Sequence, residues 1–297
     1  MDHKKLIAGL SAADREALTM RADGPGLLHL AGHLGLIGLC GCLIASGVPG
    51  WQLVLPVQGI LLVFLFTLLH ETVHQTPFRS HWLNVGVGWL CAFVLALPYN
   101  WFRYFHFAHH RFTQDPDDDP ELASPKPETW WQYVRHVSGL PVWKSHVTTL
   151  LSNAAGLNAD AYVPERGRDK VLREAQVMLA VYAALALASW LLGSMLLVWV
   201  WLVPLLLGQP FLRLYLLAEH GRCPLVANML ENSRTTFTNR VVRFLAWNMP
   251  YHAEHHAYPA VPFHKLPEFH QFTQEFLTET ERGYARFTVK YAASLQR

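Results

Sequence analysis

Charge is scarce in this chain: 15% of its 297 residues are Asp, Glu, Lys or Arg, against 52% that are hydrophobic. A soluble domain carries about 25% charged residues, so the deficit points to a protein that lives in a membrane. The formal net charge is +2 with histidines neutral, which leaves no basic surface for nucleic acid, and no run of like charge marks a disordered tail. Cysteine is almost as sparse. Cys40, Cys42, Cys91 and Cys223 are scattered, three of them in apolar stretches, with the spacing of neither a disulfide framework nor a zinc ribbon, and they read as small buried hydrophobes. A secretory signal is missing too: residues 1–25 mix Lys4, Lys5, Arg15 and Arg21 with Asp2, Asp14, Glu16 and Asp23, and their apolar residues are too interrupted to form its core, so this start is expected to stay on the mature protein.

What the chain has in abundance is long apolar segments. Residues 27–48 and 51–70 are separated by a Gly-Val-Pro-Gly turn, and a helix rising about 1.5 Å per residue over either length crosses a hydrocarbon layer of about 30 Å. They predict one transmembrane hairpin. Residues 175–193 and 195–217, parted by a short turn at Gly193, predict a second. Neither tight turn holds Lys or Arg, whereas the opposite ends carry Arg79, Arg103, Arg111, Arg135, Lys144, Arg166, Arg168, Lys170, Arg173, Arg222, Arg234, Arg240 and Arg243; the positive-inside rule then places both termini and the middle segment in the cytoplasm. Residues 82–99 are apolar but broken by Asn84, Gly86, Gly88 and Pro98, and are expected to be interfacial or re-entrant. Residues 113–130, rich in Pro and Asp, read as a loop, and residues 131–174 as polar and partly helical. The expectation is a single all-α membrane domain: a cytoplasmic segment 1–26, a hairpin 27–70, a cytoplasmic and interfacial stretch 71–174, a hairpin 175–217 and a cytoplasmic cap 218–297.

The seventeen histidines are the chemical signal. Three clusters stand out: His70-Glu-Thr-Val-His74, His106-Phe-Ala-His109-His110 and His252-Ala-Glu-His255-His256. Spacings of three and four residues put the imidazoles of each cluster on one helix face. By chance a chain this rich in histidine gives about one HxxxH but only about 0.05 HxxHH, so two HxxHH clusters are a specific signal and a lone HxxxH such as His29 with His33 is not. The predicted topology brings all three clusters to the same face, and His220, ending the fourth membrane helix where His70 and His74 end the second, joins them as a ninth candidate. His29, His33, His81, His136, His146, His264 and His270 are read as interfacial or packing residues, and Trp130, Trp131, Trp201 and Trp247 as ordinary membrane-interface aromatics rather than the lining of a substrate tunnel.

Neutral imidazole suits Zn, Cu, Fe and Ni, and a four-coordinate zinc uses at most four of nine ligands, so nine imply two metal ions. An all-imidazole site without thiolates is poorly suited to calcium or magnesium and well suited to a pair of irons that handle dioxygen. A ligating imidazole needs its far nitrogen held, and Glu71, Glu219, Glu254 and Asp119 lie close in sequence to the candidates; helix capping or solvation would explain each of these carboxylates as well.

With these residues in place, the chain resembles the membrane fatty acid desaturase and hydroxylase superfamily. The likeness rests on the three histidine boxes, on Asp119-Pro-Glu121 trailing the second, on Glu219-His220, and on Asn248-Met-Pro-Tyr-His-Ala-Glu-His-His256 running into Pro259 and Pro262, and it extends to about residue 270. It implies a mushroom-like fold of four membrane helices under a cytoplasmic cap, two irons, dioxygen as co-substrate and electrons from outside. Asn248 matches only loosely an asparagine that lies near iron in the family, and it is not counted as a ligand. With no CxxC pair and no spare length for a haem domain, a separate ferredoxin, rubredoxin or cytochrome donor is expected, and a bacterial inner membrane is the expected location.

The expected activity is desaturation of a fatty-acyl lipid, chosen on family frequency. Hydroxylation or ketolation of an alkane, carotenoid or other hydrophobic metabolite begins with the same hydrogen removal and stays open. A different class also fits part of the pattern: His70 to His74 is a literal HExxH, in which Glu71 would serve an intramembrane zinc protease as general base, but that reading leaves six histidines without a task. A transporter or receptor has no need of convergent boxes.

Overall fold

Two short helices open the chain, α1 (His3–Gly9) and α2 (Ala12–Thr19), each begun by a side chain that accepts a backbone N–H: Asp2 from Lys4, and Ser11 from Asp14. In the computed structural model, which describes residues 1–296, they are tied to the far end of the chain, where Asn228 accepts from the His3 N–H and donates to the Met1 carbonyl. The first long helix, α3 (Asp23–Ala45), starts earlier than its apolar run because polar Asp23 is used at its base, accepting from both the N–H and the hydroxyl of Ser80. Its outer face shows Leu28, Leu36, Leu39 and Leu43, the kind of surface that lipid covers. Gly47 and Gly50, both at positive φ, make the turn back.

The return passes through α4 (Val54–Val63) and α5 (Leu65–Val73), a span from Trp51 to Val73 that is the most buried of the four helices long and apolar enough to cross a membrane. It runs past the expected end at residue 70, so His70 sits in its last turn and His74 caps it. Next come α6 (His81–Val94) and α7 (Tyr99–Phe112), which meet at a 100° bend with Ala96 at positive φ and Pro98 in the break. Helix α6 leaves from beside His74 and α7 ends among the same histidines, with the break at Pro98 in the apolar run expected to be interrupted there.

A 3₁₀ turn (Pro120–Ala123) interrupts the acidic loop, and α8 (Trp130–Val137) and α9 (Leu140–Ala154) follow, exposing Trp131, Val134, Leu140, Val147 and Leu151. The segment expected to be polar is thus a pair of amphipathic surface helices whose last residues already belong to the next span, α10 (Glu165–Leu191). That span starts ten residues before the expected 175, because Arg166, Arg168, Lys170 and Arg173 are strong helix formers and solvation of their charges does not end a helix. After Gly193, at positive φ, a π-helical turn (Val198–Leu202) leads into α11 (Val203–His220), which reaches His220 instead of stopping at 217. Helices α4 and α11 touch backbone to backbone: a Cβ on Gly208 would lie 2.2 Å from the Gly59 carbonyl oxygen, and one on Gly59 would lie 2.2 Å from that of Pro204.

The cap is built from α12 (Met229–Asn232), α13 (Arg240–Leu245), α14 (His252–Ala257), α15 (Leu266–Thr273) and α16 (Tyr284–Ala293). One two-stranded parallel pair, Thr235–Thr236 with Thr280–Glu281, is an addition to the all-helical expectation. Cap and membrane bundle share one core, and Trp247, expected at the membrane interface, is instead buried there: it donates its indole N–H to His33 Nδ1 at 3.2 Å, and the other nitrogen of His33 lies 2.9 Å from the Leu61 carbonyl.

Candidate metal centre

All nine histidines singled out from sequence converge where the ends of α5, α7 and α11 meet α14. One nitrogen each from His70, His74, His106, His110 and His255 forms a first group, all within 4.8 Å of one another. Within it His70 Nε2 lies 2.7 Å from His255 Nε2, and His74 Nε2 lies 2.8 Å from His106 Nε2. His109, His220 and His256 form a second group, and His252 Nε2, 3.0 Å from His220 Nε2, stands beside it. The two groups are contiguous, since the His110 and His256 rings stack at 4.1 Å and His255 and His256 are neighbours on α14.

Local structure explains the convergence. Helix α14 is six residues long and wholly buried, so the i, i+3, i+4 spacing presents His252, His255 and His256 to both groups at once. His70 and His220 stand at the ends of helices held in contact through Gly59 and Gly208. Burial first, and then the mutual repulsion of the surrounding imidazoles, holds His252, His255 and His256 well below the ordinary histidine range, so they are neutral and carry the free lone pair a metal needs.

Several far nitrogens are held. His109 Nδ1 pairs with Asp119 at 2.9 Å, His220 Nδ1 lies 3.2 Å from the Asn232 carbonyl, and His256 Nδ1 lies 3.1 Å from the Thr113 hydroxyl. Glu219 faces His252 Nδ1 at 3.3 Å and Glu71 faces His255 Nδ1 at 3.4 Å. Glu254 differs from expectation: it turns away from the centre and bonds His270, Thr235 and Thr273, because on a one-and-a-half-turn helix its position, between His252 and His255, faces the cap interior. Asn248 is likewise engaged elsewhere, with Arg243 and the Phe263 carbonyl. His29 contacts the Phe244 carbonyl, His81 contacts Gln75 and His146 the Leu95 carbonyl, outside both groups. Sequence reasoning missed Asn232, Thr113 and His270. Asn232 acts through its backbone carbonyl, which no residue type announces, and His270 lies sixteen positions from its partner with no local pattern to link them.

The donor set fits transition-metal ions. Inward nitrogens meet one another, and both ring nitrogens of His110, Nε2 of His256 and Nδ1 of His252 and His255 are buried with no hydrogen-bond partner among the described residues. Such orphaned lone pairs are costly in a dry interior and are relieved by a cation. Neutral imidazoles without thiolate suit an iron-type ion.

The family model described as fatty acid desaturase matches residues 49–288. The chain is 30% identical over 124 residues to the sn-1 oleoyl-lipid 12-desaturase of Picosynechococcus sp., a match covering 38% of this chain and 36% of that protein. It is 29% identical over 114 residues to the Delta(12) fatty acid desaturase of Mortierella isabellina, where it spans 26% of the relative's length. A match to the dihydrorhizobitoxine desaturase of Bradyrhizobium elkanii is lower, at 23% identity, but runs over 90% of this chain and 78% of that one. With four membrane-length apolar helices and a family match over most of its length, the chain is a multi-pass integral membrane protein that belongs to the fatty acid desaturase family.

Proposed function

We propose that this protein is a dioxygen-dependent desaturase in which His70, His74, His106, His109, His110, His220, His252, His255 and His256 hold two iron ions. The observation that carries the reading is the arrangement of inward nitrogens into two contiguous groups over buried helix ends. Iron bound there supplies the reduction of dioxygen and the removal of hydrogen from an unactivated C–H bond. The chain's own residues orient and exclude. Asp119 and the Asn232 carbonyl fix the tautomers of His109 and His220, and Glu71 and Glu219 stand by His255 and His252. Burial of α14 keeps bulk water from the reacting carbon.

The HExxH protease reading fits the geometry poorly: His70 and His74 sit in a group of five imidazoles, more than a catalytic zinc takes, and Glu71 Oε2 is taken up by the Thr76 hydroxyl and the Phe263 N–H. The proposed substrate is a fatty-acyl lipid. A second reading, a small metabolite with a hydrocarbon portion, is favoured by the near full-length match to a desaturase named for dihydrorhizobitoxine. Hydroxylation or ketolation at the same centre would begin from the same hydrogen removal. Electrons would come from a separate ferredoxin, rubredoxin or cytochrome; a relative 32% identical over 80 residues, from Nostoc sp., is named as a ferredoxin-dependent acyl-lipid desaturase. The orientation proposed has the cap and both termini in the cytoplasm, with the spans in a bacterial inner membrane.

The test is mass-spectrometric profiling of lipids and small metabolites in a host expressing the chain, with iron measured on the purified protein. Loss of two hydrogens from one compound with about two irons per chain is expected; gain of one oxygen would show a hydroxylase, and a single zinc with no new product would overturn the proposal. His255→Ala should abolish turnover and lower bound iron while the helices stay folded.

A further inference from the structure

The two histidine groups are unequal. Five imidazoles meet in the first, three in the second with His252 alongside, and the loop after α7 brings a side chain of another kind to the poorer group. Glu121 Oε2 lies 3.4 Å from His109 Nε2, on the side of the ring that faces His220. This is the inward nitrogen. His109 Nδ1 is committed to Asp119 at 2.9 Å, so in the neutral ring the proton is on Nδ1 and Nε2 offers a lone pair. The same holds for His220, whose Nδ1 lies against the Asn232 carbonyl and whose Nε2 is 3.2 Å from His109 Nε2.

With both rings neutral, His109 Nε2 has two other acceptors beside it, His220 Nε2 at 3.2 Å and Glu121 Oε2 at 3.4 Å, and no proton to give either. Acceptors so placed repel unless a cation lies among them. We infer that Glu121 is a tenth metal ligand, a carboxylate oxygen that joins His109 at the smaller group of an otherwise all-imidazole centre. The inference rests on the two-metal reading of the histidines.

The surroundings are built to hold that carboxylate in place. Asp119 caps the 3₁₀ turn (Pro120–Ala123) by accepting the Glu121 N–H at 2.9 Å with the oxygen that also receives His109 Nδ1, so one carboxylate sets both the ring and the residue opposite it. Lys126 pairs with the other oxygen, Oε1, and leaves Oε2 directed inward. A hard oxygen ligand makes the two metal positions chemically distinct, one of nitrogen donors alone and one of mixed donors.

The test uses Co²⁺ as probe on protein purified in detergent and stripped of metal with a chelator. Wild type is expected to take up two Co²⁺ per chain. Glu121→Gln should keep one site at wild-type affinity and weaken the other about 10- to 100-fold, at least the cost of disturbing a residue that only orients a ligand. Its visible d–d spectrum should change for that second ion alone. Lys126→Met removes the ion pair and keeps the carboxylate, so both ions should bind as in wild type. Should Glu121→Gln fail to fold, Glu121→His, which returns a ligand atom at that position, is expected to bind two Co²⁺; one ion there overturns the assignment. Two Co²⁺ at wild-type affinity in Glu121→Gln, or equal weakening in Lys126→Met, also overturns it while the two-metal centre stands. Fewer than two Co²⁺ in wild type would sink the two-metal reading itself.

Discussion

Replacing Gly208 by alanine tests whether the contact between α4 and α11 sets the metal geometry. The new Cβ would lie 2.2 Å from the Gly59 carbonyl oxygen and 2.3 Å from its carbon, both backbone atoms that cannot swing aside. Ordinary contact begins near 3.4 Å, so the helices must part by about 1.2 Å. Overpacking of this kind costs about 1–3 kcal/mol. The larger effect is at a distance. His220 lies twelve residues beyond Gly208 on the same helix, and His70 eleven beyond Gly59 on the paired span. Stiff helices carry much of that separation to their ends, where metal–nitrogen distances tolerate only about 0.2 Å. Gly208→Ala in detergent should therefore lower the Tm and lose metal from the centre, whereas Gly35→Ala, with nothing within 4 Å of its new methyl, should stay within about 0.5 kcal/mol of wild type. Wild-type Tm and metal content in Gly208→Ala would refute the argument.

Two further perturbations follow from the same geometry. Asp119→Asn turns one acceptor oxygen into a donor facing the His109 Nδ1–H, the Gln114 N–H or the Glu121 N–H; metal affinity measured by chelator competition should fall about 10- to 100-fold, and an unchanged value would deny Asp119 its orienting role. His136 and His146 give a pH dependence. Burial, and then the charge of Arg213, lowers each to about 4 from an ordinary 6.5, so the folded protein keeps them neutral while the unfolded chain protonates them below pH 6.5. Stability is then independent of these two groups above pH 6.5 and falls with acid, by at most about 1.4 kcal/mol per pH unit for each until pH 4 is reached. Denaturation of metal-stripped protein between pH 7 and 5 should show a shallower slope in the His136→Gln, His146→Gln double variant; an equal slope would contradict the burial argument.

The spans were legible because a membrane-crossing helix needs only length and apolarity, and both can be counted. Their ends were not. Residues 165–174 look polar, yet they extend α10, since charged helix formers propagate a helix that apolar counting ends. The α6–α7 pair was legible for the opposite reason: glycine and proline inside an apolar run mark where a helix cannot continue straight. The nine histidines were legible as sets, because helical periodicity places i, i+3 and i+4 on one face whatever the tertiary fold. Glu71, Glu219, Glu254 and Asp119 looked equivalent beside them. The structure separates the four: Asp119 reaches His109, Glu219 and Glu71 face His252 and His255, and Glu254 serves His270.

By itself, the sequence determined which segments are apolar enough to leave water and which imidazoles share a helix face, because both depend on near neighbours along the chain. Only the tertiary structure decided how those faces divide into a group of five and a smaller group, and that Glu121 lies against His109 of the smaller one. Those outcomes turn on a close helix crossing at Gly59 and Gly208 and on a loop that one carboxylate, Asp119, folds back on itself. Contacts between residues so far apart in sequence leave no periodic trace in it.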